Sequence, residues 1–239
     1  MNTLLLDIGN TRIKWALDDG RGFAASDSLA TRDASELGHR IDRLAFARAS
    51  AVCVAGAAVE STIAAALRHP VEWFRSVAEC QGVRNAYRDP ARLGPDRLLA
   101  LVAAHRRDAA PCIVAAVGTA VTVDALAAEG RHLGGIILPG LAAMRDALNA
   151  ATVGVRADAG HVNDFPDNTD DAVATGTLLA VAGAVERLRA LLADRAGRSV
   201  RVLLTGGDAA VLAPHLAVPV ELMEHLVLEG LAIVSRTRP

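Results

Sequence analysis

Lysine is almost missing from this chain: Lys14 is the only one in 239 residues, and arginine supplies the other strongly basic side chains. Aromatic residues make up 3%, so leucine, valine and alanine must build the core, and no platform for stacking bases is visible. Cysteine is scarce as well. Cys53, Cys80 and Cys112 are odd in number, scattered and without C-x-x-C spacing, so neither a disulfide framework nor a zinc site is suggested and a reducing cytoplasm fits best. No run approaches the ~20 apolar residues of a membrane span, and the first residues lack the charged and apolar regions of a signal peptide. An excess of either charge is also lacking. The net charge is −2 with signs mixed along the chain, so no basic stripe is offered to a polyphosphate backbone. The expectation is a cytoplasmic protein with no nucleic-acid and no membrane partner. With 52% hydrophobic residues, the chain can form one large domain or two smaller ones.

The opening "LLLDIGNTRIKWAL" spans residues 4–17. Residues 4–8 are apolar except Asp7, as in a strand covered on both faces. After Gly9-Asn10-Thr11, the residues Ile13, Trp15 and Leu17 alternate with Arg12, Lys14 and Ala16, the period-two pattern of a half-buried strand. A β-hairpin is therefore expected, with a short third strand near 22–25. "AVCVAG" reads as a further strand, "STIAAALRH" as a helix starting at Ser61 or Thr62, and "LLALVAAHRR" as a helix with Leu98, Leu101, Val102 and His105 on one face.

The pattern then returns. "AVGTAVTVDAL" at 116–126 matches "DIGNTRIKWAL" at 7–17 without a gap in its glycine and its final Ala-Leu, and a turn, strand, helix and strand follow again. The fold expected is α/β, with two similar domains, 1–108 and 109–239, facing each other across a cleft, a default place for a ligand. The polar segment 156–172 reads as a surface loop before a long helix.

A turn of glycine with asparagine or threonine lets backbone N–H groups approach an anion closely, and two such turns could grip the phosphates of one nucleotide. Asp7 beside the first turn would suit hydrated Mg²⁺. The plainer reading is a tight hairpin turn. "TGGD", with Gly206 and Gly207, is open either to a nucleotide's ribose or adenine or to an ordinary βα loop. Asp96 in "GPDR" is either a helix N-cap or a general base for phosphoryl transfer, with Arg97 able to fork onto an anion. The seven histidines show no ligand spacing and read as structural or surface residues.

"DIGNTRIKWAL", "YRDPARLGPDR", "GTAVTVD", "GGIILPG", "DNTDDAVATG" and "LLTGGDA", in that order and over nearly the whole chain, resemble the type III pantothenate kinases. That family belongs to the acetate kinase, sugar kinase, Hsp70 and actin superfamily. The resemblance implies two duplicated ribonuclease H-like (actin-like ATPase) domains and transfer of the γ-phosphoryl group of ATP to pantothenate. It implies that Asp7, Ile8, Gly9, Asn10, Thr11, Arg12, Ile13 and Lys14 form the first phosphate loop, with Asp7 near Mg²⁺. Thr119, Gly206 and Gly207 resemble further ATP contacts; Tyr87, Gly94, Pro95, Asp96, Arg97 and Thr169 resemble the pantothenate site, with Asp96 the catalytic base. A homodimer is implied too. One departure is plain: Ala116 stands where the family has an aspartate that holds a monovalent cation, K⁺ or NH₄⁺, so that ion loses its only charged ligand here. The competing readings are a catalytically silent nucleotide-binding transcriptional accessory protein and a kinase of another small hydroxylated acceptor.

Overall fold

In β1 (Thr3–Ile8), Leu4, Leu6 and Ile8 point to one face and join a core with Ile13, Trp15, Ala49, Ala51, Ile63 and Leu67; Leu5, on the other face, is equally buried. That is why the run is apolar on both faces. The computed structural model describes residues 2–67, 69–155 and 159–237. β1 pairs antiparallel with β2 (Arg12–Asp18), and β2 with β3 (Phe23–Ala30). A 3-10 segment, Thr31–Glu36, and the short α1 (Leu37–Arg40) lead to β4 (Arg48–Cys53), parallel to β1. α2 (Ala57–Leu67) then crosses to β5 (Val71–Trp73), giving the order β3-β2-β1-β4-β5. A small ribbon, β6 (Glu79–Cys80) and β7 (Val83–Arg84), precedes α3 (Pro95–Arg107).

The second half repeats the plan. β8 (Cys112–Val117), β9 (Ala120–Leu126) and β10 (His132–Pro139) form the meander, followed by α4 (Leu141–Ala151) and α5 (Thr169–Ala196). β11 (Arg201–Thr205), α6 (Ala209–Leu212) and β12 (Val220–Leu222) complete the order β10-β9-β8-β11-β12. Its core joins Ile113, Ala115, Val117, Val121 and Val123 to Leu178, Val181 and Val185 of α5. Fully burying each of these valine, leucine and isoleucine side chains stabilises the fold by about 1.5–3 kcal/mol.

The chain finally returns. By its contacts it divides into Met1–Arg107 with His225–Pro239, and Asp108–Glu224. A single cut after residue 108 would have put α7 (Leu226–Thr237) in the second half, yet α7 packs on α3, β1 and β4. Arg107 binds Glu229 at 2.7 and 2.9 Å, and the Arg236 guanidinium forks onto buried Asp18. A side chain at Gly230 would strike the Leu99 carbonyl, so the two helices meet backbone to backbone.

Three local expectations shift. β3 runs to Ala30 because its hydrogen bonding to β2 continues through Arg12↔Ala30, although its exposed face shows little alternation. α2 starts at Ala57, so Ser61 and Thr62 lie inside it, and their hydroxyls donate to the Ala57 and Ala58 carbonyls one turn back. The polar segment 156–172, of which 156–158 lie outside the described residues, is already helical from Thr169, with Asn168 accepting from the Asp171 amide as N-cap. Among the described residues no helix is long and apolar enough to cross a membrane.

Candidate active site

The first unit holds the charged groups. Asp7 is half-buried near the end of β1, and the antiparallel register sets it opposite Lys14 on β2. Opposed residues of such a pair share a face, so the only lysine of the chain stands beside the carboxylate that breaks the apolar run. Burial, then repulsion from Asp96, push the Asp7 carboxyl up to about 7, against the pull of Lys14. Asp7 and Asp96 are thus electrostatically coupled although 89 positions separate them in sequence (96 − 7).

Between β1 and β2 the chain turns through Gly9, Asn10 and Thr11, closed by the Gly9 amide donating to the Arg12 carbonyl at 3.0 Å. A side chain at Gly9 would crowd that same carbonyl at 3.2 Å. Ile8 and Ile13 flank the turn and are fully buried, so within the expected loop they anchor, while Asn10, Thr11 and Arg12 are exposed. The Arg12 guanidinium donates to the Ser28 hydroxyl on β3.

α3 begins at Pro95, an N1 proline preset for helix entry. Asp96 therefore sits in the first helical turn rather than at the N-cap. Gly94 explains itself here: a Cβ would lie 2.6 Å from an Asp96 carboxylate oxygen. Arg97 is buried; its guanidinium donates to the Tyr87 hydroxyl at 2.8 Å and lies 5.6 Å from the centre of the same ring. Sequence reasoning missed Asn85, whose Oδ1 accepts from the Tyr87 amide at 3.0 Å while its Nδ2 donates to the Pro90 carbonyl at 3.0 Å. It also missed Thr31, which bonds the turn from behind (Thr31 Oγ1 to the Gly9 carbonyl, 2.7 Å). The only hint of either is a polar residue within an otherwise apolar or loop context.

At its own turn the second unit offers backbone. The Gly118 amide donates to the Ala120 carbonyl at 3.2 Å, and the Thr119 carbonyl accepts from Gly140 at 3.0 Å. Side chains at Gly140 or Gly206 would strike the backbone of Gly118 and Val117 respectively, and Gly206 has φ +102°. Asp208 donates its amide to the Val117 carbonyl at 3.0 Å. The structure thus draws together Thr119, Gly140, Gly206 and the neighbouring exposed Gly207. Ala116 is half-buried between buried Ala115 and Val117. Asp124 is buried, its carboxylate 2.9 Å from Nε2 of the fully buried His132.

Thr169 is exposed as the first residue of α5. The loop before it is tied by Asp171, which accepts from the His161 amide at 2.7 Å and from Asn163 and Asn168 side chains at 2.8 and 2.9 Å. Those bonds, the His161 amide first, hold the Asp171 carboxyl below its ordinary range. The sequence shows Asp171 only as part of the motif "DNTDDAVATG", without the bonds it makes.

In three dimensions the chain is similar to a Sinorhizobium meliloti protein described as a 2-dehydro-3-deoxygalactonokinase (TM-score 0.65, 16% identity, 98% of each chain covered). It is also similar to MreB 5 of Spiroplasma citri bound to AMPPNP (TM-score 0.54, 10% identity, 99% of this chain and 96% of that one). At such identities the likeness shows the fold alone: an α/β protein with the actin-like fold. The family description "Type III pantothenate kinase" matches residues 3–190. A Type III pantothenate kinase of Chromobacterium violaceum is 42% identical over 235 residues, covering 98% of this chain and 99% of that relative. The chain belongs to the type III pantothenate kinase family.

Proposed function

We propose that the protein transfers the γ-phosphoryl group of ATP to the primary hydroxyl of pantothenate, giving 4′-phosphopantothenate, the first step of coenzyme A synthesis. The observation that carries this reading is the family match over residues 3–190, in a chain whose first turn sets Asp7 opposite Lys14 with Asp96 near enough to help raise the Asp7 carboxyl. A protein freed from catalysis has little physical reason to keep both Asp7 and Asp96.

In the proposed reaction the pantothenate hydroxyl oxygen forms a bond to the γ-phosphorus and the bond to the ADP oxygen breaks. The hydroxyl proton passes to the Asp96 carboxylate. Tyr87, Gly94, Pro95, Arg97 and Thr169 are assigned to pantothenate, with the Arg97 fork as the natural partner of its carboxylate. The turn from Asp7 to Lys14, together with Thr119, Gly206 and Gly207, is assigned to ATP.

Mg²⁺ fits Asp7. Its carboxyl is pushed up to about 7, so negative charge there is under-compensated, and an oxygen donor beside phosphates suits a partly hydrated ion. Among the described residues no three His, Cys, Asp or Glu cluster to hold a metal by themselves, which leaves phosphate oxygens and water to complete the shell. Bound there, Mg²⁺ would neutralise phosphate charge. A monovalent cation does not fit at Ala116, whose neighbours are apolar, so we expect turnover without a K⁺ or NH₄⁺ requirement. We further propose a cytoplasmic homodimer, to be checked by light scattering.

The test is ATP-dependent phosphorylation of pantothenate by the purified protein with Mg²⁺. Product formation that needs both substrates supports the reading. ATP binding without product would move the assignment to a silent regulator; turnover of another hydroxylated acceptor in preference to pantothenate would reassign the substrate.

A further inference from the structure

Thr31 follows the meander of the first unit as the first residue of the 3-10 segment and is buried. It meets the turn between β1 and β2 twice. Its hydroxyl donates to the Gly9 carbonyl at 2.7 Å and its amide donates to the Thr11 carbonyl at 3.0 Å. Among the described residues no peptide bond is cis, and in a trans peptide the C=O and the following N–H point in opposite directions. With both carbonyls drawn toward Thr31, the amides of Asn10 and Arg12 are turned to the other side. The orientation is set by one residue that reaches the turn from 20 positions beyond Thr11 (31 − 11).

We infer that Thr31 is a positioning residue for nucleotide binding: its hydroxyl and amide lock two peptide planes so that the Asn10 and Arg12 amides face the phosphate chain. The inference rests on the assignment of this turn to ATP. Backbone donors preset in this way need no reorganisation when the anion arrives. The hydroxyl is the separable half of the lock, because its replacement by methyl leaves volume and backbone nearly unchanged.

The experiment compares Thr31→Val, Thr31→Ser and Thr31→Ala with the parent, by MgATP titration, by steady-state kinetics in both substrates and by hydrogen exchange at residues 9–12. Thr31→Val is expected to raise Kd and KM for ATP ~5–20-fold with KM for pantothenate within ~2-fold, and Thr31→Ser to restore ATP affinity to within ~3-fold. Exchange at the turn should quicken in Thr31→Val without nucleotide. Unchanged ATP affinity in Thr31→Val overturns the inference. So do equal losses in Thr31→Val and Thr31→Ser, or equal losses toward both substrates, since these mark a packing role. If Thr31→Val does not fold, Thr31→Ala against Thr31→Ser makes the same comparison. A parent protein that binds ATP but leaves pantothenate unphosphorylated sinks the kinase reading alone, because the titration still reads the lock. A parent that binds no ATP sinks both.

Discussion

The two hairpin turns occupy equivalent places in two sheets of the same order, yet they hold opposite resources. The first has Asp7 before its glycine, Lys14 across the register and Asp96 coupled to it. The second has Ala116 before its glycine and Thr122 opposite it, with close backbone approaches at Gly140 and Gly206. Both turns are closed by a backbone hydrogen bond from their glycine amide, to the Arg12 carbonyl at 3.0 Å in the first and to the Ala120 carbonyl at 3.2 Å in the second, so a turn at this place forms with or without the charged residues.

The comparison breaks hardest at Asp96. Asp96→Asn is expected to lower kcat ~10²–10⁴-fold with ATP binding nearly intact; equal turnover would remove Asp96 from the base role. Asp7→Asn is expected to weaken the apparent Mg²⁺ affinity ~10–100-fold, and unchanged metal dependence would argue against its assignment.

Asp7 also makes a prediction about pH. Its carboxyl titrates near 7 when folded against a usual value of 3.8, so the native state binds more protons than the unfolded chain between those values. Stability from this group is therefore fully present below about pH 4, falls as pH rises through that window and levels off above 7. Thermal melts of the metal-free and nucleotide-free protein should show Asp7→Asn gaining on the parent between pH 5 and 8. A constant difference would contradict the raised value.

Gly206→Ala tests the uncharged turn. Its φ of +102° and the Val117 backbone in the way should lower stability by about 2–3 kcal/mol in chemical denaturation; a neutral result would mean the loop can move aside. The smallest expected effect is at Ala116. The parent should turn over within ~2-fold as fast in Na⁺ as in K⁺ or NH₄⁺, while Ala116→Asp should become responsive to K⁺. Strict K⁺ dependence of the parent would show that other groups hold the ion.

Much of this was legible in the chain. The duplication shows because period-two alternation and a small-residue turn recur in register, and topology follows such patterns. Asp7 stood out because it breaks an apolar run, whereas Asp96 and Gly206 each also had a plain structural reading, as a helix N-cap and a βα loop, and were singled out by the motifs that resemble the family. Thr31, Asn85 and Asp171 did not stand out, because each looks like an ordinary polar residue until its partners are known. Gly94 was named for its motif, but its physical reason, room for the Asp96 carboxylate, appears only in three dimensions.

The sequence by itself determined the repeated strand and helix pattern, the family and the chemical identity of the groups at the turns, since these depend on local composition and spacing. Tertiary structure alone decided that Lys14 faces Asp7, that Thr31 holds the turn, and that the last helix returns to the first unit to pair Arg236 with Asp18, 218 positions away. Such contacts depend on strand register and chain return, and both are set by the whole core minimising exposed apolar surface rather than by any local stretch.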